Sequence, residues 1–230
     1  MTKDGKWTFG KKVPFYFEKH IKKSIPNYDE SVEIISTLST YFLNNNSVLY
    51  DVGCSTGKLI RILDKIHKGK NIKFFGIDPE KAMIDYIKSL DEYKKSKNIK
   101  LINNEVEKVK LLKSDMIISN YTMQFINFKK RKKILQKFYN SLNIGGAFLI
   151  FEKIYGNNSQ FEKILSDMLI DFKIKNRFSE KQIINKNKQI KGVLNPLTLE
   201  KNLKLLSESG FKNVQIINQK INFVGILAIK

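Results

Sequence analysis

Short apolar runs alternate along the chain with longer stretches in which apolar residues recur every three or four positions. The runs cover residues 48–52, 72–77, 98–104, 114–120 and 147–151, and they are typical of buried strands. The stretches between them indicate amphipathic helices that cover the faces of a sheet. This alternation of strand and helix predicts an α/β fold with a mostly parallel sheet.

The pattern changes in three places outside this core. Residues 1–28 precede the first strand and form an arm whose second half has helical spacing. Residues 153–195 hold an amphipathic helix and a polar stretch, and their position after the fifth strand suits a lid over a site. Two final strands, at 214–217 and 223–229, are so close in sequence that they must pair antiparallel. We expect residues 1–230 to form one domain.

A glycine-rich turn follows the first strand and opens the next helix. Gly53 and Gly57 have no Cβ, so the backbone can bend tightly and approach a ligand, with Asp51 and Ser55 beside it. The turn is not a dinucleotide fingerprint, because G-x-G-x-x-G is absent. It also matches the G-x-S-x-G elbow of α/β-hydrolases, but that fold expects a late histidine and both histidines here occur before residue 70.

Polar residues also end two other predicted strands. Asp78 ends the second strand, where a carboxylate can accept hydrogen bonds from a ribose diol. Because Pro79 follows it, Asp78 also suits the start of a helix, and the two roles are compatible. Asn120 and Tyr121 end the fourth strand, next to the crevice in which open α/β sheets bind ligands.

The chain is strongly basic, with 42 Lys and Arg residues against 22 Asp and Glu and a net charge of +20. This charge raises the hypothesis of a nucleic-acid partner. Only Arg61, Arg131 and Arg177 are arginines, however, and a lysine excess accompanied by abundant Asn and Ile favours compositional drift. A single cysteine excludes internal disulfides, and we expect no metal site. With no signal peptide or membrane-length apolar stretch in view, we expect a cytoplasmic protein that does not act at a membrane.

Five strand–helix units followed by a helix and an antiparallel pair form the layout of class I methyltransferases. This predicts a Rossmann-like sheet, mostly parallel with an antiparallel C-terminal strand, plus an N-terminal helical arm and a helical lid insertion. In that class the glycine turn binds S-adenosylmethionine, and the acid after the second strand binds its ribose. Asp51 and backbone groups would face the ammonium end. The sulfonium is already activated, which is consistent with the lack of an obvious catalytic group in the sequence.

More specific motifs narrow the class. They are Trp7-Thr8-Phe9, Ile25-Pro26-x-Tyr28, Tyr50-Asp51-Val52-Gly53-Cys54-Ser55, Gly76-Ile77-Asp78, Ala82-Met83-Ile84, Asn120-Tyr121-Thr122-Met123-Gln124-Phe125, Gly145-Gly146-Ala147, Glu152-Lys153, Asp171-Phe172-Lys173, Ser179-Glu180 with Ile183, and Gly210-Phe211. Through these motifs the chain resembles, over nearly its whole length, the carboxy-S-adenosylmethionine synthase family.

The resemblance implies a reaction and a set of contacts. Members of that family convert S-adenosylmethionine, with prephenate, into a carboxylated sulfonium, which a separate enzyme passes to the wobble uridine of tRNA. A homodimer is also implied. The implied cofactor contacts are Tyr28, Gly53, Asp78, Pro79, Glu105, Val106 and Asn120.

The chain departs from the family in the insertion. The family has a Lys-Arg pair there, whose Arg binds the added carboxylate, and the pair here reads Lys186-Asn187. Asn cannot neutralise a carboxylate, although Lys186 or Lys188 could substitute if the loop shifts. Tyr121 lies near the expected substrate position, and Glu105 replaces an Asp of the family, which is a mild change.

Three hypotheses follow from these observations. The first is methyl transfer from S-adenosylmethionine to an unidentified small molecule, which the missing Arg favours slightly. The second is a carboxy-S-adenosylmethionine synthase with a rebuilt anion site, which would supply tRNA wobble-uridine modification. The third is a non-catalytic S-adenosylmethionine-binding or RNA-binding module. A basic stripe that is centred on 129–133 and reaches the cofactor site would favour the third.

Overall fold

The computed structural model describes residues 13–230, so the motif Trp7-Thr8-Phe9 and the first part of the predicted arm lie outside the described residues. The α-helices are α1 (Val13–Ser24), α2 (Tyr28–Phe42), α3 (Lys58–Ile66), α4 (Lys81–Ser89), α5 (Asp91–Lys95), α6 (Phe128–Ser141), α7 (Ser159–Lys175), α8 (Glu180–Ile190) and α9 (Leu199–Glu208). The strands are β1 (Val48–Val52), β2 (Lys73–Ile77), β3 (Ile99–Ile102), β4 (Ser114–Asn120), β5 (Leu142–Tyr155), β6 (Leu197–Thr198), β7 (Asn213–Lys220) and β8 (Phe223–Ile229).

The strands form a mixed sheet in the order β3-β2-β1-β4-β5-β8-β7, with β6 paired to β5 outside this path. Strands β1 to β5 are parallel, whereas β8 runs antiparallel to both β5 and β7. The predicted fold class is therefore confirmed. The strand order reverses between β1 and β4, and at such a point the crossover helices diverge and leave a crevice at the carboxyl ends of the strands.

Two apolar layers cover the central strands, and alternate residues of β5 contribute to each. Leu149 and Phe151 pack in the layer that includes residues of α2 and α3. Phe148 and Ile150 pack in the layer that includes residues of α6 and α9. Because both faces of β5 are buried, its continuous apolar sequence is the one expected of a central strand.

Two helices have well-defined boundaries next to the sheet. Helix α6 ends at Ser141, and β5 begins directly afterwards at Leu142. The start of β5 pairs with the end of the chain, since the N–H of Gly145 donates to the Lys230 carbonyl at 3.0 Å. Asn27 holds the N-cap position of α2. Asp29 lies in the first turn of α2 and pairs with Lys22 and Lys58.

The insertion after β5 folds as two helices, α7 and α8. The second covers most of the polar stretch, which on its own carried no helical signal. A capping box defines its start, because Ser179 and Gln182 satisfy each other's backbone N–H groups. No helix in residues 13–230 combines the length and the apolar character that a membrane crossing requires.

Candidate functional site

A cavity of about 690 Å³ opens at the carboxyl ends of β1 and β4. Its floor is the glycine-rich turn, and residues of α1 and α8 form its outer walls. The predicted site residues that line it are Tyr28, Asp51, Gly53, Ser55, Asp78, Pro79, Asn120, Tyr121, Lys186 and Asn187. The structure therefore gathers residues from five separate stretches of sequence around one space.

Four predicted site residues do not line this cavity. Gly57 forms the start of α3, where an added Cβ would meet Ile87. Glu105 precedes a short 3-10 turn and pairs with Lys108 at 3.2 Å, while Val106 is buried in the core. Lys188 is exposed on the outer side of α8. The roles assigned to these residues stay predictions.

The glycine turn is held against the neighbouring strand β2. The N–H groups of Gly53 and Cys54 both donate to the Ile77 carbonyl, at 2.7 and 3.1 Å. Gly53 has a φ of 75°, and a Cβ at this position would collide with the side chain of Thr122. Glycine is thus required both by backbone conformation and by the close approach of the loop after β4.

We expect Gly53→Ala to lower cofactor affinity at least about tenfold. An alanine in the left-handed conformation and its collision with Thr122 each cost about 1–3 kcal/mol, and the turn would shift to relieve them. Calorimetric titration with S-adenosylmethionine measures the change. Gly69→Ala is the matched control, since Gly69 also has a positive φ but a Cβ there would meet nothing within 4 Å. Equal affinity losses in both variants would contradict the steric explanation.

Asp51 places an unpaired acidic group inside the cavity. The residue is only 2% exposed, and its Oδ2 atom has no hydrogen-bond partner among the described residues. Burial, with repulsion from Asp78, raises the pKa of this carboxyl to about 7. The side-chain oxygen of Asn120 is likewise buried without a partner. Such acceptors are costly unless a ligand donates to them, so this end of the cavity suits a cationic, hydrogen-bonding group.

Asp78 connects two loops of the site. Its carboxylate accepts from the N–H of Ser55 at 2.8 Å and from the N–H of Glu80 at 2.9 Å. Burial raises its pKa to about 6. The N-cap of α4 is Glu80, two residues later, so Asp78 is a strand-end acid that braces the glycine turn. Its remaining acceptor capacity is available to a diol.

Tyr121 packs in an aromatic group at the cavity wall. It has a φ of 60°, and its ring lies 6.1 Å from that of Tyr28 and 5.8 Å from that of Phe223, measured between centroids. Burial raises the pKa of both tyrosines well above the usual range. Both phenols are therefore protonated at neutral pH and act as hydrogen-bond donors and apolar surface.

Three lysines line the opposite part of the cavity, and sequence reasoning assigned a role to only one of them. They are Lys153 at the end of β5, Lys173 on α7 and Lys186 on α8. Burial and then Lys173 lower the pKa of Lys186 to about 7, and burial and then Lys153 lower the pKa of Lys173 to about 8. Lys173 therefore interacts with both of the other lysines, while Glu162 favours the charged form of Lys153. We call the three lysines the lysine cluster.

The signal for the two missed lysines was present in the sequence. Both belong to quoted motifs, Glu152-Lys153 and Asp171-Phe172-Lys173, but neither motif indicates what faces its lysine. His20 is also affected by the positive charge of the lysine cluster. Burial, and then Lys186 and Lys173, lower its pKa to about 4. This imidazole is neutral at pH 7 and lines the cavity near the lysine cluster.

The basic run at 129–133 lies elsewhere. Lys129, Lys130 and Lys133 line a separate groove between α6 and the loop before β4. Lys130 is paired there with Glu107. Among the described residues, this groove shares no lining residue with the cofactor cavity. The basic stripe that would favour an RNA-binding module therefore does not reach the site.

Comparison with known proteins defines the class. Residues 43–210 match the family model described as a methyltransferase domain. A putative S-adenosylmethionine-dependent methyltransferase from Methanococcus maripaludis superposes with a TM-score of 0.63 at 20% identity, covering 100% of this chain and 97% of that one. Phosphoethanolamine N-methyltransferase 2 from Haemonchus contortus, solved with S-adenosyl-L-methionine, gives 0.69 at 13% identity, covering 96% and 57%. The fold is that of a methyltransferase, the chain is an S-adenosylmethionine-dependent transferase, and S-adenosylmethionine is its cofactor.

Two full-length relatives narrow this class. A carboxy-S-adenosyl-L-methionine synthase from Staphylococcus epidermidis is 36% identical over 225 residues, covering 97% of each chain. One from Nautilia profundicola is 32% identical over 222 residues, covering 96% of this chain and 94% of its own. The chain belongs to the carboxy-S-adenosyl-L-methionine synthase family.

Proposed function

We propose that the protein is a carboxy-S-adenosylmethionine synthase that uses prephenate as the carboxyl donor. The observation that carries this proposal is the lysine cluster. Asn187 removes the arginine that the family uses to bind a carboxylate, and from sequence alone this favoured methyl transfer. The lysine cluster supplies cationic groups on the side of the cavity where Asn187 lies. We therefore favour carboxy-S-adenosylmethionine synthesis over methyl transfer.

The electrostatic layout explains why an anionic second substrate is favoured. Lys153, Lys173 and Lys186 are partly desolvated, and Lys173 experiences repulsion from Lys153 and in turn repels Lys186. A bound carboxylate would lower the electrostatic cost of these buried positive charges, whereas a neutral methyl acceptor would not. Prephenate is a dianion, so a cluster of several cations matches its charge.

The two ends of the cavity divide the binding task. Asp51, Asn120 and Asp78 would hold the ammonium end and the ribose of S-adenosylmethionine, and the lysine cluster would orient the acidic donor. When bound, the sulfonium makes its methyl protons acidic. In the proposed reaction, the bond between the ring and the ring carboxyl group of prephenate would break and the ring hydroxyl group would leave as hydroxide. The hydroxide would take a proton from the methyl group to form water, and the methyl carbon would form a C–C bond to the released carboxyl carbon. Phenylpyruvate would be the second product. The chain's own contribution is to place the two substrates together and to exclude water with α1 and α8.

Mass spectrometry of the sulfonium nucleoside that stays bound to the purified protein tests the proposal. We expect a mass greater than that of S-adenosylmethionine by one carboxyl group. Unmodified S-adenosylmethionine that persists after incubation with prephenate would contradict it and would restore methyl transfer as the better hypothesis.

The proposal predicts an activity optimum close to pH 7. Below about pH 7, Asp51 becomes protonated and loses its attraction for a cationic ligand, so the affinity for S-adenosylmethionine falls. Above about pH 7 to 8, Lys186 and Lys173 lose their protons, so the KM for prephenate rises. Calorimetry and steady-state kinetics between about pH 6 and pH 9 measure the two limbs separately. A prephenate KM that stays constant up to pH 9 would contradict the role of the lysines.

We further propose a cytoplasmic homodimer that supplies tRNA wobble-uridine modification, as the family resemblance implies. An exposed apolar row on α7, formed by Phe161, Ile164 and Met168, supports a second copy as the partner. Light scattering at several concentrations would reveal the oligomeric state.

A further inference from the structure

Gln124 touches the two ends of the insertion that carries the lid. It lies just after Tyr121, and its side-chain oxygen accepts from the N–H of Lys153 at 2.8 Å. Its main-chain carbonyl accepts from the N–H of Asn195, also at 2.8 Å. The insertion therefore leaves the sheet and returns to it through hydrogen bonds to one residue.

The same residue also holds the loop that follows β4. The Nε2 atom of Gln124 donates to the carbonyl of Tyr121 at 3.1 Å. Tyr121 has the left-handed conformation noted above, which costs about 1–3 kcal/mol in a residue other than glycine. The hydrogen bond from Gln124 helps to hold this conformation of Tyr121. The residue directly before Tyr121 is Asn120, whose buried side-chain oxygen has no partner among the described residues.

Arg131 reinforces this junction from α6. It is 2% exposed, and its Nη2 atom donates to the carbonyls of Asn195 at 2.6 Å and Gln124 at 3.2 Å. Its Nε atom donates to the carbonyl of Ile126 at 2.9 Å. A fork of planar N–H groups can reach three carbonyls at once, whereas a lysine has a single ammonium group at this point. This chain uses lysine nearly everywhere else, so the arginine fits a geometric need.

We propose that Gln124 and Arg131 are positioning residues. They anchor both ends of the lid to the loop that follows β4 and so determine where the lysine cluster lies relative to the sulfonium. In this proposal neither Gln124 nor Arg131 binds a reacting group. The lysines on α7 and α8 lie within the anchored segment, so their distance from the cofactor depends on where Lys153 and Asn195 are held. The inference rests on the proposed function for its effect on turnover, but the anchoring itself does not.

Amide hydrogen exchange of α8, read by mass spectrometry with saturating S-adenosylmethionine, tests the anchor without any reaction. In Arg131→Lys and Gln124→Met we expect exchange in residues 180–190 to accelerate about tenfold while exchange in β1 and β4 is unchanged. The controls are Arg177→Lys and Gln136→Met, which make the same changes at exposed positions. Unchanged exchange in α8, or equal acceleration in β1 and β4, would overturn the proposal.

Steady-state kinetics give the second readout. We expect the KM for prephenate to rise about tenfold in both anchor variants, with the affinity for S-adenosylmethionine within about twofold of wild type. A parallel loss of cofactor affinity and melting temperature would show a merely structural role. Wild-type protein that does not turn over prephenate would refute the proposed function, and the exchange measurement would still decide the anchor.

Discussion

Asp51→Asn is expected to lower the affinity for S-adenosylmethionine about 100-fold and, at pH 8, to raise the melting temperature of the ligand-free protein. The two effects have opposite signs because one charge causes both. Asp51 is buried close to Asp78 and has an oxygen that finds no hydrogen-bond partner within residues 13–230. The charge attracts a cationic ligand, but without the ligand it is desolvated and repelled.

The pH dependence fixes the sign of the stability effect. Burial raises the pKa of Asp51 from 3.8 to about 7 in the folded protein. The folded state therefore binds a proton more readily than the unfolded state does. The resulting penalty is absent below about pH 4, grows as the pH rises and is complete above about pH 7. Asparagine removes this penalty, and a gain of about 1–2 kcal/mol corresponds to about 2–8 °C in a chain of this size.

Calorimetric titration with S-adenosylmethionine measures the affinity, and thermal denaturation of the ligand-free protein at pH 8 measures the melting temperature. Asp167→Asn is the matched control, because Asp167 lies exposed on α7 and makes the same change in charge. A lower melting temperature in Asp51→Asn at pH 8, or an unchanged affinity, would show that this carboxylate is not held for the ligand.

Lys173→Met and Lys186→Met are each expected to lower kcat/KM for prephenate about 100-fold, with the affinity for S-adenosylmethionine nearly unchanged. Methionine keeps the length of the apolar stem and removes the charge, so the change isolates electrostatics from packing. Loss of one charge-assisted contact to a partly buried carboxylate costs about 1.5–3 kcal/mol, which is the basis for this magnitude. Removal of one cation also relieves repulsion within the cluster.

Two neighbouring lysines serve as controls. Lys175→Met lies on α7 and Lys188→Met on α8, and both side chains are exposed. We expect neither variant to change kcat/KM by more than about twofold. A loss in Lys188→Met equal to that in Lys186→Met would indicate that the lid rearranges on binding and would restore Lys188 as a substrate contact. Equal losses in all four variants would point to general charge attraction.

The succession of the main strands along the chain was predictable because each of these strands is an apolar run between turn residues. The glycine turn was predictable for a related reason, since Gly53 occupies a position where only glycine fits both the backbone and its neighbour. Helix α8 was not predicted although Ser179 and Gln182 match a capping box, because its polar sequence hides a helix that depends on packing of Ile183 against the rest of the site. Such tertiary support leaves little periodicity in sequence.

The site was only partly predictable. Asp51, Asp78 and Asn120 were identifiable because parallel strands bring their carboxyl ends to one edge. Lys153 and Lys173 were missed, since β5 and α7 place them opposite α8 only through the fold of the insertion. This omission matters, because Asn187 alone favoured the loss of anion binding, whereas the assembled cavity also contains the three lysines of the lysine cluster.

Turnover with prephenate that carries an isotopic label in the carboxyl group to be transferred tests the proposed function most directly. The protein is incubated with S-adenosylmethionine and the labelled donor, and the sulfonium product is isolated and analysed by mass spectrometry. We expect a product that is heavier by one labelled carboxyl group and that forms about 100-fold more slowly in Lys173→Met than in wild type at subsaturating prephenate. Wild-type protein that yields only unlabelled S-adenosylmethionine, or that yields S-adenosylhomocysteine with an added methyl acceptor, would contradict it.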